Sequence, residues 1–464
     1  MTNNTQLPIK FTVLTLLLIL LTTSAFGCKG SVSSEEAAKI QPITLNYWRV
    51  WDGQEVYADI IASYQAIHSN IKINYRKLRY EEYEKELLNS FAEDRGPDIL
   101  SLHAGWMERY QNKLAPMPAE ITMAYPVITG TLKKEETIEL RTNRSLTLGQ
   151  IKEQYLDTVY DNAIIDGKVY GLPMSVDSLV LFYNRDLMNS AGITEVPKYW
   201  NDKFLEDVKT LTKQNENGKI VQSGVALGTS DNIERYSDIL SLLMMQNGAQ
   251  MMSYEDKRVT FQTALKGSNT AAPGLEALRF YTDFANPVKQ VYSWDKEMPN
   301  SLQAFIEGRL AMFFGYAYHI PMIKAQAPRL NYGISPMLQI EGNTTQINFA
   351  NYWLETVSSK SAYQAEAWNF IQFATKAENA QSYLTKAKKP TALRSLVDQQ
   401  KNNDEISVFA NQLLTSRSWY KGKDYNAAEV IIGEMIEEAL IAELNDLPKV
   451  ISSGAYRVQQ TLSN

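Results

Sequence analysis

The stretch DGKVYGLPMSVDSLVLFYNRDLMNSAG, residues 166–192, decides how the rest of this sequence is interpreted. It opens with Asp166-Gly167, a dipeptide typical of a tight turn, and then continues as an alternating run of apolar residues. Such alternation predicts a β-strand, because successive side chains of a strand point to opposite faces. We therefore place a turn and a strand here and extend the interpretation to both sides.

The segment before this stretch predicts an α/β lobe. Apolar residues alternate in some parts of it and recur at helical spacing in others. The two patterns follow one another as strand, helix, strand, helix and strand: ITLNYWRVW (43–51), EVYADIIASYQAIH (55–68), IKINYRKL (71–78), the face formed by Tyr83, Leu87 and Phe91, and GPDILSLH (96–103). This order predicts a sheet with helices packed on its faces.

The segment after the stretch repeats the same alternation. Strands are predicted at KIVQSGVALG (219–228), RLAMFFG (309–315) and LNYGISPM (330–337), and a long helix at NAAEVIIGEMIEEALIAEL (426–444). A polar excursion at Leu132–Leu148 interrupts the pattern. The length of 464 residues suits two domains of ordinary size rather than one.

The composition excludes several functions. The net charge of −6 argues against a nucleic-acid partner, and the single cysteine excludes an intrachain disulfide and a cysteine-based metal site. The sequence contains no G-x-S-x-G, H-E-x-x-H, phosphate-loop or G-x-G-x-x-G motif. We expect no metal and no cofactor. The 52 acidic residues leave a glycosidase open, since that chemistry needs only two carboxylates.

The N-terminal segment has the pattern of an export signal. Lys10 precedes the aliphatic run Phe11–Leu21, and small residues follow. The run is shorter than the roughly 20 residues that a membrane-spanning helix needs. Ala25-Phe26-Gly27-Cys28 resembles the lipobox of bacterial lipoproteins. We expect a signal peptide at 1–27, lipid on Cys28 and a flexible tether at 28–41; the alternative is cleavage nearby with an incidental cysteine.

Aromatic residues are abundant, with 26 Tyr and 8 Trp, and they gather near predicted strand ends. Their flat rings suit the C–H face of a sugar, while carboxylates and amides suit its hydroxyls. The alternative is that the rings fill the core between helices and sheet. The clusters are NYWRVW (46–51), SLHAGWMERY (101–110), FFGYAYHI (313–320), NYWLE (351–355) and SRSWYKGKDY (416–425).

An ordered set of motifs resembles the extracellular solute-binding proteins of ABC importers, in particular the carbohydrate-binding family that includes maltose-binding protein. The resemblance spans Ile43–Leu444. The motifs that carry it are GPDILSLHAGWMERYQNKLAPM (96–117), residues 166–192, AFIEGRLAMFFGYAY (304–318), AEAWNFIQFAT (365–375) and KKPTALRSL (388–396). Each motif alone is weak, and their order is specific.

The resemblance implies a two-lobe, periplasmic-binding-protein-like α/β fold of type II, with hinge strands that cross between the lobes. We expect 42–176 and 334–388 in the N-lobe, and 177–333 and 389–464 in the C-lobe. The polar excursion leaves these boundaries open.

The resemblance also implies a ligand site in the cleft. Asp177 matches an acidic residue near the hinge, and His103 to Trp106 match a ligand loop. Trp48 is expected on the loop after the first strand. The complete set of expected ligand-binding residues is Trp48, His103, Trp106, Asp177, Tyr316, Tyr318, Trp353, Trp419 and Tyr420.

The implied function is that of a lipid-anchored, extracytoplasmic binding protein without catalysis. We expect a monomer that captures a sugar or oligosaccharide and delivers it to the permease subunits of an ABC importer. The alternatives are a non-sugar solute in the same fold, such as a polyol phosphate, peptide or amine, or a surface polysaccharide hydrolase or lyase.

Overall fold

A computed structural model describes residues 40–129, 135–264, 267 and 271–463. The predicted signal peptide (1–27), Cys28 and nearly all of the predicted tether lie outside the described residues. Within the described part of the chain, no helix is both long enough and apolar enough to cross a bilayer.

Strands and helices alternate along most of the described chain. The strands are β1 (Ile43–Val50), β2 (Ile71–Leu78), β3 (Ile99–His103), β4 (Glu120–Thr129), β5 (Glu135–Arg144), β6 (Ile164–Ile165), β7 (Lys168–Val169), β8 (Asp177–Ser178), β9 (Val180–Asn184), β10 (Lys213–Gln214), β11 (Ile220–Val225), β12 (Met252–Ser253), β13 (Arg258–Val259), β14 (Leu310–Gly315), β15 (Tyr332–Ser335), β16 (Asn348–Asn351), β17 (Trp353–Val357) and β18 (Ser416–Arg417). The helices are α1 (Ala58–Ile67), α2 (Tyr80–Ala92), α3 (Met107–Tyr110), α4 (Leu148–Gln154), α5 (Asp157–Ala163), α6 (Arg185–Ser190), α7 (Asp202–Leu211), α8 (Tyr236–Gln246), α9 (Pro273–Asp283), α10 (Ser301–Ile306), α11 (His319–Gln326), α12 (Gln364–Ala374), α13 (Ala377–Ala387), α14 (Arg394–Gln400), α15 (Ser407–Gln412), α16 (Tyr425–Ile441) and α17 (Leu447–Gln460).

The first lobe is built on a sheet with the strand order β17-β3-β1-β2. β1 pairs in parallel with β2 along its whole length and with β3 over a short segment. β17 runs antiparallel to β3 and places Trp353 opposite His103. Helices such as α1 and α12 bury their apolar faces against this sheet. The predicted α/β lobe is confirmed.

The polar excursion predicted at Leu132–Leu148 is described from Glu135 onward: residues 135–144 form one strand of a two-stranded ribbon, and Leu148 begins α4. β4 and β5 pair antiparallel, from Glu120 opposite Arg144 to Thr129 opposite Glu135. Ile121 and Met123 of β4 are buried in the first lobe, whereas the side chains of residues 137–144 are exposed or half-buried. Because β5 buries so little, its sequence lacks the apolar alternation that would have identified it as a strand.

The second lobe is built on a sheet with the order β10-β11-β14-β9-β15. β9, which comes from the stretch 166–192, lies between β14 and β15 and is antiparallel to both. β11 pairs with β14 in parallel. Every residue of β14 is buried, because this strand lies in the middle of the mixed sheet and its side chains belong to the core of the second lobe.

Three short strands form the hinge between the lobes. β8 pairs antiparallel with β16, so that Asp177 lies opposite Asn351, and β16 pairs in parallel with β18. Their order is β18-β16-β8. Each strand lies where the chain passes from one hydrophobic core to the other, which is the arrangement of a two-lobe fold with crossing strands.

The two hydrophobic cores place the crossings differently from the predicted boundaries at 334 and 389. Met337 and Leu338 still belong to the core of the second lobe, because β15 is an edge strand of its sheet. Ala392 and Leu393 belong to the core of the first lobe, where Leu393 forms a β-bridge with Tyr155. The return crossing therefore lies at β16 and the last one at β18, between Leu413 of the first core and Trp419 of the second.

Candidate functional site

A cavity of about 330 Å³ lies between the two lobes, next to the hinge. Its wall combines aromatic rings with charged and amide side chains, which is typical of a small-molecule site. Both lobes and the hinge contribute to it: Trp51, Tyr80, Glu81, His103, Ser175, Asp177, Glu234, Arg235, Tyr318, Asn351, Trp353, Lys389 and Tyr425 are among the lining residues.

Four aromatic rings form a stack that crosses from one lobe to the other. Trp51 of the first lobe lies between Tyr80, at a centroid distance of 5.2 Å, and Tyr318 of the second lobe, at 5.8 Å. The planes of Trp51 and Tyr318 differ by only 13°. Tyr316 covers the other face of Tyr318 at 5.7 Å.

Trp51 owes its position to an unusual backbone conformation. It follows β1 directly and has a φ of +69°, a region that non-glycine residues rarely adopt. Its ring is 42% exposed, although tryptophan is strongly favoured in the interior. A strained backbone that holds a large exposed ring in a cleft is typical of a functional position.

Asp177 begins β8 and links the hinge to the second lobe. One carboxylate oxygen accepts the backbone N–H of Ser178, and the other accepts the backbone N–H of Ala317, each at 2.9 Å. Burial nevertheless raises the pKa of the Asp177 carboxyl to about 7, against the opposing effects of Lys389 and these hydrogen bonds. The carboxylate is thus a half-buried acceptor in the wall that Tyr318 also lines.

His103 and Trp353 form the first-lobe wall near the hinge. They lie opposite each other on β3 and β17, with ring centroids 5.7 Å apart. Burial lowers the pKa of His103 to about 4, so the imidazole is neutral at physiological pH. Its Nδ1 accepts the backbone N–H of Gly105 at 3.2 Å. Trp106 packs on Trp353 at 5.3 Å, and its Nε1–H donates to Asn426 of the second lobe.

The structure brings together four of the predicted residues, namely His103, Asp177, Tyr318 and Trp353, in the wall of the cavity. Tyr316 is fully buried behind Tyr318 and donates its hydroxyl to Asp238 at 2.7 Å.

Trp48 corrects one expectation. It lies within β1 rather than on the loop after it, is 8% exposed, and its ring is covered by the Arg76 guanidinium at 4.6 Å. Trp51, three residues later in the same aromatic cluster, occupies the loop position instead. The turn-forming Asp52-Gly53 directly after it was the signal in the sequence that could have identified it.

Trp419 and Tyr420 lie in the core of the second lobe. The Trp419 indole donates to Ser241 at 3.0 Å, and the Tyr420 hydroxyl donates to the backbone carbonyl of Thr461 at 2.9 Å. Trp419 also lines a separate, wider groove of about 720 Å³. That groove lacks stacked rings, so the smaller cavity between the lobes is the better candidate site.

The sequence interpretation missed the cations of the cavity and their partners. Arg235 pairs with Asp238 and with Glu429, both at 2.8 Å. Lys389 pairs with Asp52 at 2.7 Å. Asp238 is only three residues from Arg235, but Glu429 and Asp52 lie far from their cations in the sequence, and pattern analysis cannot bring such partners together.

Arg49 also lines the cavity and is 4% exposed. Its guanidinium pairs with Glu355 at 3.2 Å and with Asp52 at 3.4 Å. Among the residues that the structure describes, no group of three or more histidine, cysteine or acidic side chains could hold a metal ion.

Direct contacts join the lobes beside the cavity. The side-chain amide of Asn426 donates to Glu84 at 3.0 Å, and the ammonium of Lys423 donates to the backbone carbonyl of Glu108 at 2.9 Å. The rings of His103 and Tyr425 lie 4.8 Å apart. The lobes therefore close around the cavity in this conformation.

Comparison with known proteins agrees with this architecture. The chain is 23% identical over 349 residues to the maltodextrin-binding protein MdxE of Bacillus subtilis (strain 168), covering 71% of this chain and 76% of that protein. It is 22% identical over 385 residues to the galactooligosaccharide-binding protein of the same strain, covering 82% and 79%.

Solved structures share the fold. The cyclic α-maltosyl-1,6-maltose binding protein from Arthrobacter globiformis superimposes with a TM-score of 0.70 at 17% identity, covering 91% of this chain and 99% of that one. The GacH receptor of Streptomyces glaucescens GLA.O gives 0.67 at 17% identity, covering 90% and 98%. The profile of the bacterial extracellular solute-binding proteins matches residues 142–381, more than half of the sequence. The chain belongs to the bacterial extracellular solute-binding protein family and has its two-lobe α/β fold.

Proposed function

We propose that this protein captures a sugar or oligosaccharide between its lobes and delivers it to the permease of an ABC importer. The family assignment supports solute binding, and the curated relatives named above are maltodextrin- and galactooligosaccharide-binding proteins. The rings and the half-buried carboxylate of Asp177 in the cavity have the chemistry that carbohydrate recognition requires.

The observation that carries this proposal is the pairing of Trp51 with Tyr318 across the cleft. The two rings come from opposite lobes and are nearly parallel. When the lobes separate, a sugar ring can enter between the two aromatic rings and present a C–H face to each of them. Since the ligand then contacts both lobes, its binding energy favours the closed state.

The charges of the cavity disfavour an anionic solute such as a polyol phosphate. Phosphate recognition needs Arg or Lys donors that are free to bind it. Arg49, Arg235 and Lys389 are all already paired with carboxylates of their own lobe. We propose that the protein binds without turnover, as a single polypeptide chain. Sustained release of products from a polysaccharide panel would contradict this.

Calorimetry against a panel of mono- and oligosaccharides tests the proposal, with small-angle scattering as a second readout. We expect one saccharide per chain to bind and the scattering profile to differ from that of the ligand-free protein. A folded protein that binds none of the panel would overturn the assignment to sugars.

Replacing Asp177 by asparagine is expected to weaken saccharide binding by at least about tenfold. The carboxylate accepts hydrogen bonds from hydroxyls as a charged group, and the amide loses that charge while keeping the size of the side chain. The asparagine oxygen can accept the N–H of Ser178 or of Ala317 but not both, so we expect a small loss of stability with the fold preserved. Calorimetry checks the affinity, and an unchanged dissociation constant would show that the ligand lies elsewhere.

The same carboxyl predicts a pH dependence of binding. Its pKa is raised to about 7, so it holds a proton in much of the empty protein below that pH. Hydroxyl donors need the ionised form, and affinity for a neutral saccharide should therefore rise by up to about tenfold from about pH 6 to 8. His103 does not titrate in this range, because burial lowers its pKa to about 4. The dependence should disappear in Asp177→Asn; its persistence would assign it to another group.

We further propose that lipid on Cys28 holds the protein at the outer face of a membrane, after removal of residues 1–27. The lipobox-like sequence before this cysteine, the only one in the chain, supports this. The Cys28→Ser variant should move from the detergent phase to the aqueous phase in Triton X-114 partitioning. Equal partitioning of variant and wild type would contradict lipidation.

A further inference from the structure

Three cations and three carboxylates line the cavity, but the cations are already paired with further carboxylates behind its wall. Arg49, Arg235 and Lys389 are each neutralised by carboxylates of their own lobe. Among the described residues, no lysine or arginine forms an ion pair with the lining carboxylates Glu81 or Glu234.

The two carboxylates belong to opposite lobes. Glu81 lies in the first turn of α2, directly after Tyr80 of the ring stack. Glu234 precedes α8 in the second lobe and accepts one hydrogen bond from the Asn300 amide at 3.2 Å. The nearest cation in sequence to Glu81 is Arg79, whose guanidinium bonds Glu82. Within the described residues, each lobe thus brings to the cavity a carboxylate without an ion pair: Glu234, which is half-buried, and Glu81, which is exposed and interacts with Arg79 only at longer range.

Closure of the lobes brings these like charges toward each other. Like-charge approach costs free energy, and the cost grows as water leaves the space between the charges. The hydroxyls of a neutral sugar can donate hydrogen bonds to the carboxylates, but they leave the negative charge of the carboxylates uncancelled. A ligand cation cancels it and therefore favours closure.

The ring stack suits a cation as well as a sugar face. The faces of tryptophan and tyrosine attract ammonium groups, most strongly when water is excluded. Trp51 and Tyr318 can therefore accept a protonated amine and the C–H face of the ring that bears it.

Resting on the proposed function, we propose that the preferred ligand is an amino sugar with a free, protonated amine, held between Trp51 and Tyr318 by Glu81 and Glu234. Acetylation of that amine removes its charge and should remove the preference.

Three matched sets of sugars test this at about pH 6.5, where such an amine carries its proton. Each set has an amine, an N-acetyl and a hydroxyl form of one sugar. The first is glucosamine, N-acetylglucosamine and glucose, and the second is galactosamine, N-acetylgalactosamine and galactose. The third is the β-linked glucosamine disaccharide, N,N′-diacetylchitobiose and cellobiose. In at least one set the amine should bind at least about tenfold tighter than both partners, and raised salt should reduce that preference.

Protein variants identify the groups responsible. In the double variant Glu81→Gln, Glu234→Gln, the preference for the amine should fall below about threefold. Glu86→Gln is the matched control: this carboxylate lies on the same helix, is exposed, pairs with Arg76 and does not line the cavity, and its loss should leave the preference intact.

The outcomes separate the two proposals. If a neutral member binds as tightly as the amine in every set, the inference is overturned and the proposed function stands. If the proteins bind spermidine and no sugar of the matched sets or the wider panel, both are overturned. A preference for the amine that survives in the double variant contradicts the assignment to Glu81 and Glu234.

Discussion

A variant with methionine in place of Arg49 is expected to lose about 3–5 kcal/mol in its free energy of unfolding. Arg49 is 4% exposed and pairs with Asp52 and Glu355 in the first lobe. Removing one partner of a buried ion pair leaves the other charge desolvated and uncompensated, and that is the source of the loss. Methionine is chosen because it preserves much of the side-chain volume.

The surroundings of Arg49 offer no replacement for it. Lys389 is already committed to Asp52 at 2.7 Å. Glu355 would still accept the hydrogen bond that the Tyr47 hydroxyl donates at 2.7 Å. Without the guanidinium, however, the Glu355 carboxyl would have to be protonated to avoid a buried, unpaired charge. Burial already raises the pKa of Glu355, and the Arg49 guanidinium opposes that effect. The Tyr57 ring, 4.8 Å from the guanidinium carbon, would lose its cation–π contact as well.

Chemical denaturation measures this effect on the purified protein. Arg95→Met is the control, because that side chain is 76% exposed and its ion pair with Glu93 lies on the surface; we expect a change within about 0.5 kcal/mol. A loss below about 1 kcal/mol in Arg49→Met would show that the buried network contributes little to the stability of the first lobe.

The sequence predicts the regular elements well where one face of each is apolar. The strand predicted at IKINYRKL is β2 with the same limits, and the face formed by Tyr83, Leu87 and Phe91 lies on α2. Local periodicity is enough for such elements, because burial of one face imposes it on the sequence. The strand β5 is largely exposed, so burial imposes no apolar pattern on its sequence, and the strand was not predicted.

The lobe boundaries could not be obtained in this way. Whether residues 337–349 belong to one lobe or the other depends on which core Met337 and Leu338 contact, and both cores are apolar. An apolar side chain predicts that the residue is buried, but it does not identify which of the two cores the residue packs against. The crossings follow from strand pairing, such as Asp177 with Asn351, which involves partners far apart in the chain.

The candidate site shows the same division. Asp177, His103, Tyr318 and Trp353 stand in motifs at strand ends, and the structure places all four in one cavity. Trp48 and Trp51 occur in one aromatic cluster, and choosing between them requires knowing where β1 ends. Local pattern places a strand end only to within a few residues, which is enough to exchange a buried ring for an exposed one.

Replacing Trp51 by alanine is expected to weaken binding of the preferred saccharide by about 2 kcal/mol, or about thirtyfold. The indole is the central ring of the stack and lies between Tyr80 and Tyr318. Its loss removes the first-lobe face against which a sugar ring would pack. It also removes the contact between lobes that the sugar would replace on closure.

Two measurements separate these contributions. Calorimetry gives the affinity of Trp51→Ala and of Tyr318→Ala, and scattering reports how far each empty protein opens. If the rings act as a pair around the ligand, the double variant should lose less than the sum of the two single losses. Tyr456→Ala is the control, because this ring is 67% exposed and does not line the cavity. Wild-type affinity in Trp51→Ala would remove the aromatic stack from the binding site and, with it, the main support for a sugar between the lobes.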